Sequence, residues 1–252
     1  MGEHATYVYA VGDALPSDSD VFLDLRGVDD ARVRTISEGA LAAVVSDVDP
    51  VRFGDKSLQT SLEDLSWLQQ TALAHNTVLA ALAAEYTVAP LRMATVYNDD
   101  DSVRATLRTN AEAFSAVLAR VRGRSEWGVK GFVQTRDFSS PTLAGEKPGT
   151  SYLMRKRAER DRIELAREKW RNTADAVHAA FAKLAVTSFR YPPQDPRLSG
   201  RRDEMVLNSA FLVEDARAAE FCDAVHGGAG EDIYVELTGP WAPYSFTALE
   251  KQ

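Results

Sequence analysis

After Gly123 the chain reads as strand EWGVKGFV (126–133), helix, strand VTSFRY (186–191), strand EMVLNSAFLVE (204–214), helix and strand DIYVEL (232–237). That β-α-β-β-α-β order constrains the fold more than any other feature, because it is the order of the ferredoxin-like split βαβ arrangement. Two departures mark it as a modified version. The helix following residue 150 is unusually long, and PPQDPRLSGRRD (192–203) is a Pro-rich polar loop between the two middle strands. The expected fold class is α+β with two domains. An N-terminal α+β domain spans 1–123, with Gly123 as the boundary, and a modified ferredoxin-like C-terminal domain with a long helix spans 124–236.

The N-terminal half supplies its own strands and helices. TYVYAV (6–11) is rich in aromatic and β-branched residues, as strands are. VFLDL (21–25) follows a loop of Asp, Ser and Pro, and ARVRTI and ALAAVVSDV flank SEG (37–39), which reads as a hairpin turn. Thr60 with Glu63 has capping-box spacing. From there Leu62, Leu65, Leu68, Ala72, His75, Leu79, Leu82 and Tyr86 recur at helical steps and predict one apolar stripe. TVAPLRMATV is extended, since Pro90 is unsuited to a helix interior. A second helix is expected to start in NDDDS, carry Val103, Leu107, Phe114, Leu118 and Val121 on one face, and stop at Gly123.

Composition narrows the class. At 45% hydrophobic and 26% charged over 252 residues, this is ordinary globular composition. No apolar run approaches the roughly 18–20 residues of a spanning helix, and MGEHATYVYAVGD lacks a signal peptide's basic start, so neither membrane nor export is expected. The lone Cys222 excludes an intramolecular disulfide and a thiolate metal cluster, in keeping with a reducing cytoplasm. A net charge of -8 argues against nucleic acid as the main ligand.

Catalytic patterns are missing. His75 lies on an apolar stripe and reads as a partly buried histidine bonded to backbone, with no paired nucleophile in the pattern. The four histidines show no metal-ligand spacing. HGGAG (226–230) is similar to an oxyanion-hole loop, but no GxSxG elbow accompanies it, and glycine capping of the preceding helix explains it. Neither GxGxxG after a strand nor a Walker loop is present. Cys222 has core spacing with Phe221 and Val225, and Arg92 reads as structural. The expectation is a non-enzyme with no cofactor and no metal.

Two segments stand out as interaction surfaces. MRKRAERDRIELAREKWR (154–171) holds eight basic and four acidic residues, a local excess of four positive charges in an acidic chain. Its apolar stripe begins only at Ile163, so Arg155, Lys156 and Arg157 should project into solvent. They carry i,i+4 ion pairs, an acidic protein partner or, though no aromatic stacking set accompanies the charge, nucleic acid. The second segment is TGPWAPYSF (238–246), stiffened by two prolines and bearing three aromatic rings. Rings of that size do not stay in water without a cover. The tail, 237–252, is therefore expected to dock on the N-terminal domain and clamp the two domains together. Trp241 would be its buried anchor, accompanied by Tyr244 and Phe246.

TGPWAPYSF together with YVYAVG (7–12), DLSWLQQTALAHN (64–76), PLRMATV (90–96), EWGVKGF (126–132), SYLMRKR and MVLNSAFLV resembles the gas vesicle protein F/L family almost end to end. The resemblance implies a non-enzymatic accessory or minor structural protein. Such a protein would bind the small hydrophobic shell protein of the vesicle wall and other accessory proteins. It would support nucleation and assembly while limiting shell-protein aggregation, in the cytoplasm and at gas vesicles. The residues themselves leave one rival, a ferredoxin-like small-molecule-sensing module, for which only HGGAG offers a loop. They do not separate the F branch from the L branch.

Overall fold

The computed structural model describes residues 4–13, 15, 22, 24–54, 61, 63–133, 150–194, 201, 203–228 and 233–248, without the side chains of 150–153 and 155. Two compact units divide the chain: Met1–Glu126 with Pro240–Gln252, and Trp127–Gly239. The fold is α+β.

In the first unit, β1 (Ala5–Asp13) lies between β3 (Leu41–Val48) and β4 (Val88–Pro90), with β2 (Val33–Glu38) beyond β3 and β5 (Val96–Tyr97) also on β1. All of these pairings are antiparallel. Gly39, at φ 61°, makes the tight turn that pairs Glu38 with Leu41. The sheet is buried on both faces, so its central strand is apolar at nearly every position rather than alternating. Tyr7 and Tyr9 enter one core with Val44, Val78, Leu79 and Leu82. Val8 and Val11 enter the other with Ile36, Val103, Leu107, Phe114 and Leu118.

Helix α1 (Leu65–Glu85) is capped by Asp64, whose carboxylate accepts from Ser66 N at 2.9 Å and Trp67 N at 3.3 Å. Thr60 lies outside the described residues, and Asp64 performs the N-capping. The buried stripe is Thr71, His75, Val78, Leu79 and Leu82, while Leu65 and Leu73 are exposed, so the apolar face starts later than the spacing predicts. The expected second helix is two helices, α2 (Asp100–Thr109) and α3 (Ala111–Val121). They break at Asn110, whose backbone N and side-chain Nδ2 both donate to the Thr106 carbonyl, at 3.0 and 2.9 Å. An asparagine amide competing for helix carbonyls is a local signal that apolar periodicity does not register. Asp99 caps α2, and Asp100 in its first turn is gripped by both terminal nitrogens of Arg34 at 2.8 Å, which holds its carboxyl below the usual range. The VFLDL segment forms no strand among its described residues; Phe22, in a 3-10 turn, and Leu25 pack against the core.

The second unit holds the rest of β6 (Arg124–Val133), then α4 (Thr150–Ala182), β7 (Thr187–Arg190), β8 (Glu204–Glu214), α5 (Ala218–Gly227) and most of β9 (Ile233–Trp241). The sheet order is β7-β8-β6-β9, which in unit numbering is 2-3-1-4, the ferredoxin-like order. Trp170, Ala174, Val177 and Phe181 of α4 pack with Phe221 and Val225 of α5 over Leu207, Phe211 and Val213 of β8. Cys222 packs at the edge of this core, and burial pushes its thiol up, away from the reactive thiolate form. Helix α5 ends at Gly227 with Gly228 as C-cap, so the described part of HGGAG terminates a helix. Gly123, at φ 65°, follows α3 and turns the chain into β6 in the left-handed conformation that glycine adopts without cost.

Candidate functional site

The first unit places a buried polar arrangement under the C-terminal segment. Tyr7 projects from β1 and His75 from α1, and the Tyr7 hydroxyl lies 2.9 Å from His75 Nδ1. On the other side of the ring, His75 Nε2 hydrogen-bonds the Tyr244 hydroxyl. The Tyr7 hydroxyl also accepts from Ala94 N at 3.0 Å, and Ala94 holds φ 63°. A non-glycine residue there carries strain that its surroundings must hold, and this bond holds it. PLRMATV therefore forms a turn over Tyr7, while Arg92, expected to be structural, is exposed and closes the turn with its carbonyl, which accepts from Thr95 N at 3.2 Å.

In the neutral ring one nitrogen donates and the other accepts, so the two tyrosine hydroxyls play opposite roles towards His75. His75 is 1% exposed, and burial lowers its pKa to about 4, opposed by a backbone hydrogen bond at Leu91. Burial likewise pushes the Tyr7 and Tyr244 hydroxyls up. The histidine reads in sequence as bonded to backbone, and it has a backbone hydrogen bond at Leu91; its ring nitrogens also meet two tyrosines, one of them 169 positions away. Apolar periodicity marks His75 as buried and carries no information about that partner.

The tail adds three further bonds. Ser245 donates to Glu126 from its backbone N at 2.7 Å and from Oγ at 2.6 Å, and Thr247 Oγ1 donates to the Pro90 carbonyl at 2.9 Å. Phe246 is buried in the short 3-10 turn Tyr244–Phe246. Trp241 is not the buried anchor expected of it. It is 58% exposed, because it ends β9 before the chain turns at Pro243, and the seat is filled by Tyr244 and Phe246. Beside Trp241 opens a groove of about 540 Å³, lined by Leu79, Ala80, Ala83 and Ala84 of α1 and by Glu126, Pro240, Ala242 and Tyr244. Glu126 was missed by sequence reasoning. Its only signal is that it is the one acidic residue in β6.

In the second unit, Lys156 and Arg157 are exposed on α4, and the Arg155 side chain lies outside the described residues. The ion pairs of this helix include Arg160 with Asp161 at 3.8 Å and Arg167 with Glu204 of β8 at 3.6 Å. Farther along, His178 Nδ1 lies 3.0 Å from Ser209 Oγ, and burial followed by the nearby Arg190 lowers its pKa. Among the described residues no group of three His, Cys, Asp or Glu is placed to hold a metal, and no helix is long and apolar enough to cross a membrane.

The family model described as gas vesicle synthesis protein GvpL/GvpF matches residues 5–248, the tail included. The chain belongs to the GvpL/GvpF family. It is 38% identical to gas vesicle protein L of Streptomyces sp. (strain CB03234), over 98% of this chain and 94% of that protein. With gas vesicle protein F of the same strain it shares 27%, over 96% and 99%. Its fold is that of the crystal structure of GvpF from Anabaena sp. PCC7120, with a TM-score of 0.71 at 17% identity over 98% of both chains. GvpF from Microcystis aeruginosa gives 0.66 at 16% identity, over 97% of this chain and 99% of that one. The chain is thus a gas vesicle protein, related at similar length to both named branches.

Proposed function

We propose that this protein is a non-enzymatic assembly factor that binds the hydrophobic gas vesicle shell protein, keeps it from aggregating and supports vesicle nucleation. The observation that carries the reading is the family match over residues 5–248, which embraces both units and the tail. The physical problem is specific. A small hydrophobic protein with unpaired strand edges aggregates unless an edge or an apolar face is held. This chain offers two suitable features without any cofactor. One is the apolar groove beside Trp241. The other is the edge strand β7, where Phe189 is 49% exposed and packs against Tyr191 in a tilted ring pair, 4.8 Å between centroids. Other gas vesicle accessory proteins are the natural further partners, with the exposed basic turns of α4 as the surface for an acidic one. The site of action on this reading is the cytoplasm, at forming vesicles.

Co-expression with the shell protein followed by affinity capture tests the reading. Capture of the shell protein with this chain, at washes that remove an unrelated acidic protein, is the expected result. A shell protein that never co-purifies contradicts it.

A further inference from the structure

The walls of the groove are built from Leu79, Ala80, Ala83 and Ala84 on one element and Pro240, Trp241, Ala242 and Tyr244 on another, with Glu126 among them. Glu126 is 9% exposed, and what it receives is two donors from Ser245, one on each carboxylate oxygen. A carboxylate has room for about four such bonds, so each oxygen keeps a free acceptor site. Among the described residues no lysine or arginine pairs with it, and burial raises its pKa against the pull of Ser245. A buried carboxylate without a cation is costly, and the protein retains it facing an open groove. The 58%-exposed indole of Trp241 lines the same groove, and indole is the best of the protein rings for receiving a cation on its face.

We propose that this groove is a receptor for a lysine or arginine side chain carried on an apolar segment of a protein partner, with Glu126 taking the charged head and Trp241 covering its stem. The charge of the site decides the occupant: an acidic or neutral segment would leave the carboxylate unpaired. Its size decides the class, because about 540 Å³ of mainly apolar lining admits the apolar neighbours of the basic residue as well. The site is opposite in sign to the basic face of α4 and would select a different partner segment.

The test uses the full chain labelled with 5-fluorotryptophan, which gives four indole signals, Trp241 being the one lost in Trp241→Phe. The probes are an amphipathic Leu/Lys peptide, the same peptide with Gln or Glu replacing Lys, and hexylamine. The Lys peptide should shift the Trp241 signal saturably, and the Gln and Glu peptides should bind at least about tenfold more weakly, the loss of one charge-assisted hydrogen bond. Glu126→Gln keeps one acceptor oxygen for the two Ser245 donors and should weaken the Lys peptide by a similar factor in a chain that still melts cooperatively. Glu220→Gln, an exposed carboxylate of the second unit, should change nothing. An unmoved Trp241 signal, equal binding of the Gln peptide, or full affinity in Glu126→Gln would overturn the proposal. Equal losses in Glu220→Gln would reduce the effect to net charge, and hexylamine binding as tightly as the peptide would make this a small-amine site; either overturns it.

Discussion

His75 is buried between two tyrosines, and that is one contribution to how the first unit responds to acid. Its folded pKa is about 4 against an ordinary 6.5, so below pH 6.5 the unfolded chain binds a proton that the folded chain refuses. The contribution is therefore intact above pH 6.5, lost progressively as pH falls toward 4, and flat below that. The full loss is on the order of 3 kcal/mol, the free energy of a shift of that size. Glu126 runs the other way, since a raised carboxyl favours the fold at low pH. Urea midpoints at pH 7, 5.5 and 4 should show the wild-type chain losing stability over this window and His75→Gln losing distinctly less; parallel curves would contradict the assignment. The three tail aromatics separate by burial. Phe246→Ala should cost roughly 3–5 kcal/mol as a buried truncation, and Tyr244→Phe about 1–3 kcal/mol by leaving His75 Nε2 unpaired. Trp241→Ala should cost under about 1 kcal/mol, as at exposed positions generally. Sequence shows that such a set of rings must be covered. It does not show which ring, because that depends on where the chain turns after Pro243 rather than on residue type.

At the level of elements, the C-terminal segment is tied to residues distant in sequence, through His75, Pro90 and Glu126. Deleting the residues after Gly239 should uncover the Tyr7–His75 pair and speed amide exchange in α1, read by hydrogen-exchange mass spectrometry. Unchanged protection of Leu65–Glu85 would show that the tail contributes nothing to its own unit. On α4, Lys156→Glu with Arg157→Glu should leave the melting temperature within about a degree or two, since exposed charges carry little stability, while weakening capture of an acidic accessory partner most at low salt. A large melting loss would show that these turns are covered. The β-α-β-β-α-β order was legible because its strands are runs rich in β-branched and aromatic residues, and because the long helix carries an apolar stripe from Ile163 onward. The break at Asn110 and the cap at Asp64 were not, since one or two side-chain hydrogen bonds decide each, below the scale of any apolar pattern.

At the scale of the whole molecule, the family was legible from short strings spread over the chain, and the site was not. PLRMATV, EWGVKGF and TGPWAPYSF are far apart in sequence, yet each supplies a part of the tail's seat: the Ala94 turn and the Pro90 carbonyl, the Glu126 carboxylate, and the Tyr244–Ser245 pair. The strings are recognisable one by one, while their meeting is a property of tertiary packing. What such a molecule does for the vesicle is settled most directly by a sedimentation titration. Shell protein diluted from denaturant into buffer with increasing amounts of this chain should remain in the supernatant in proportion to the chain added, up to a fixed stoichiometry. A shell protein that pellets to the same extent at every ratio would contradict the assembly-factor account.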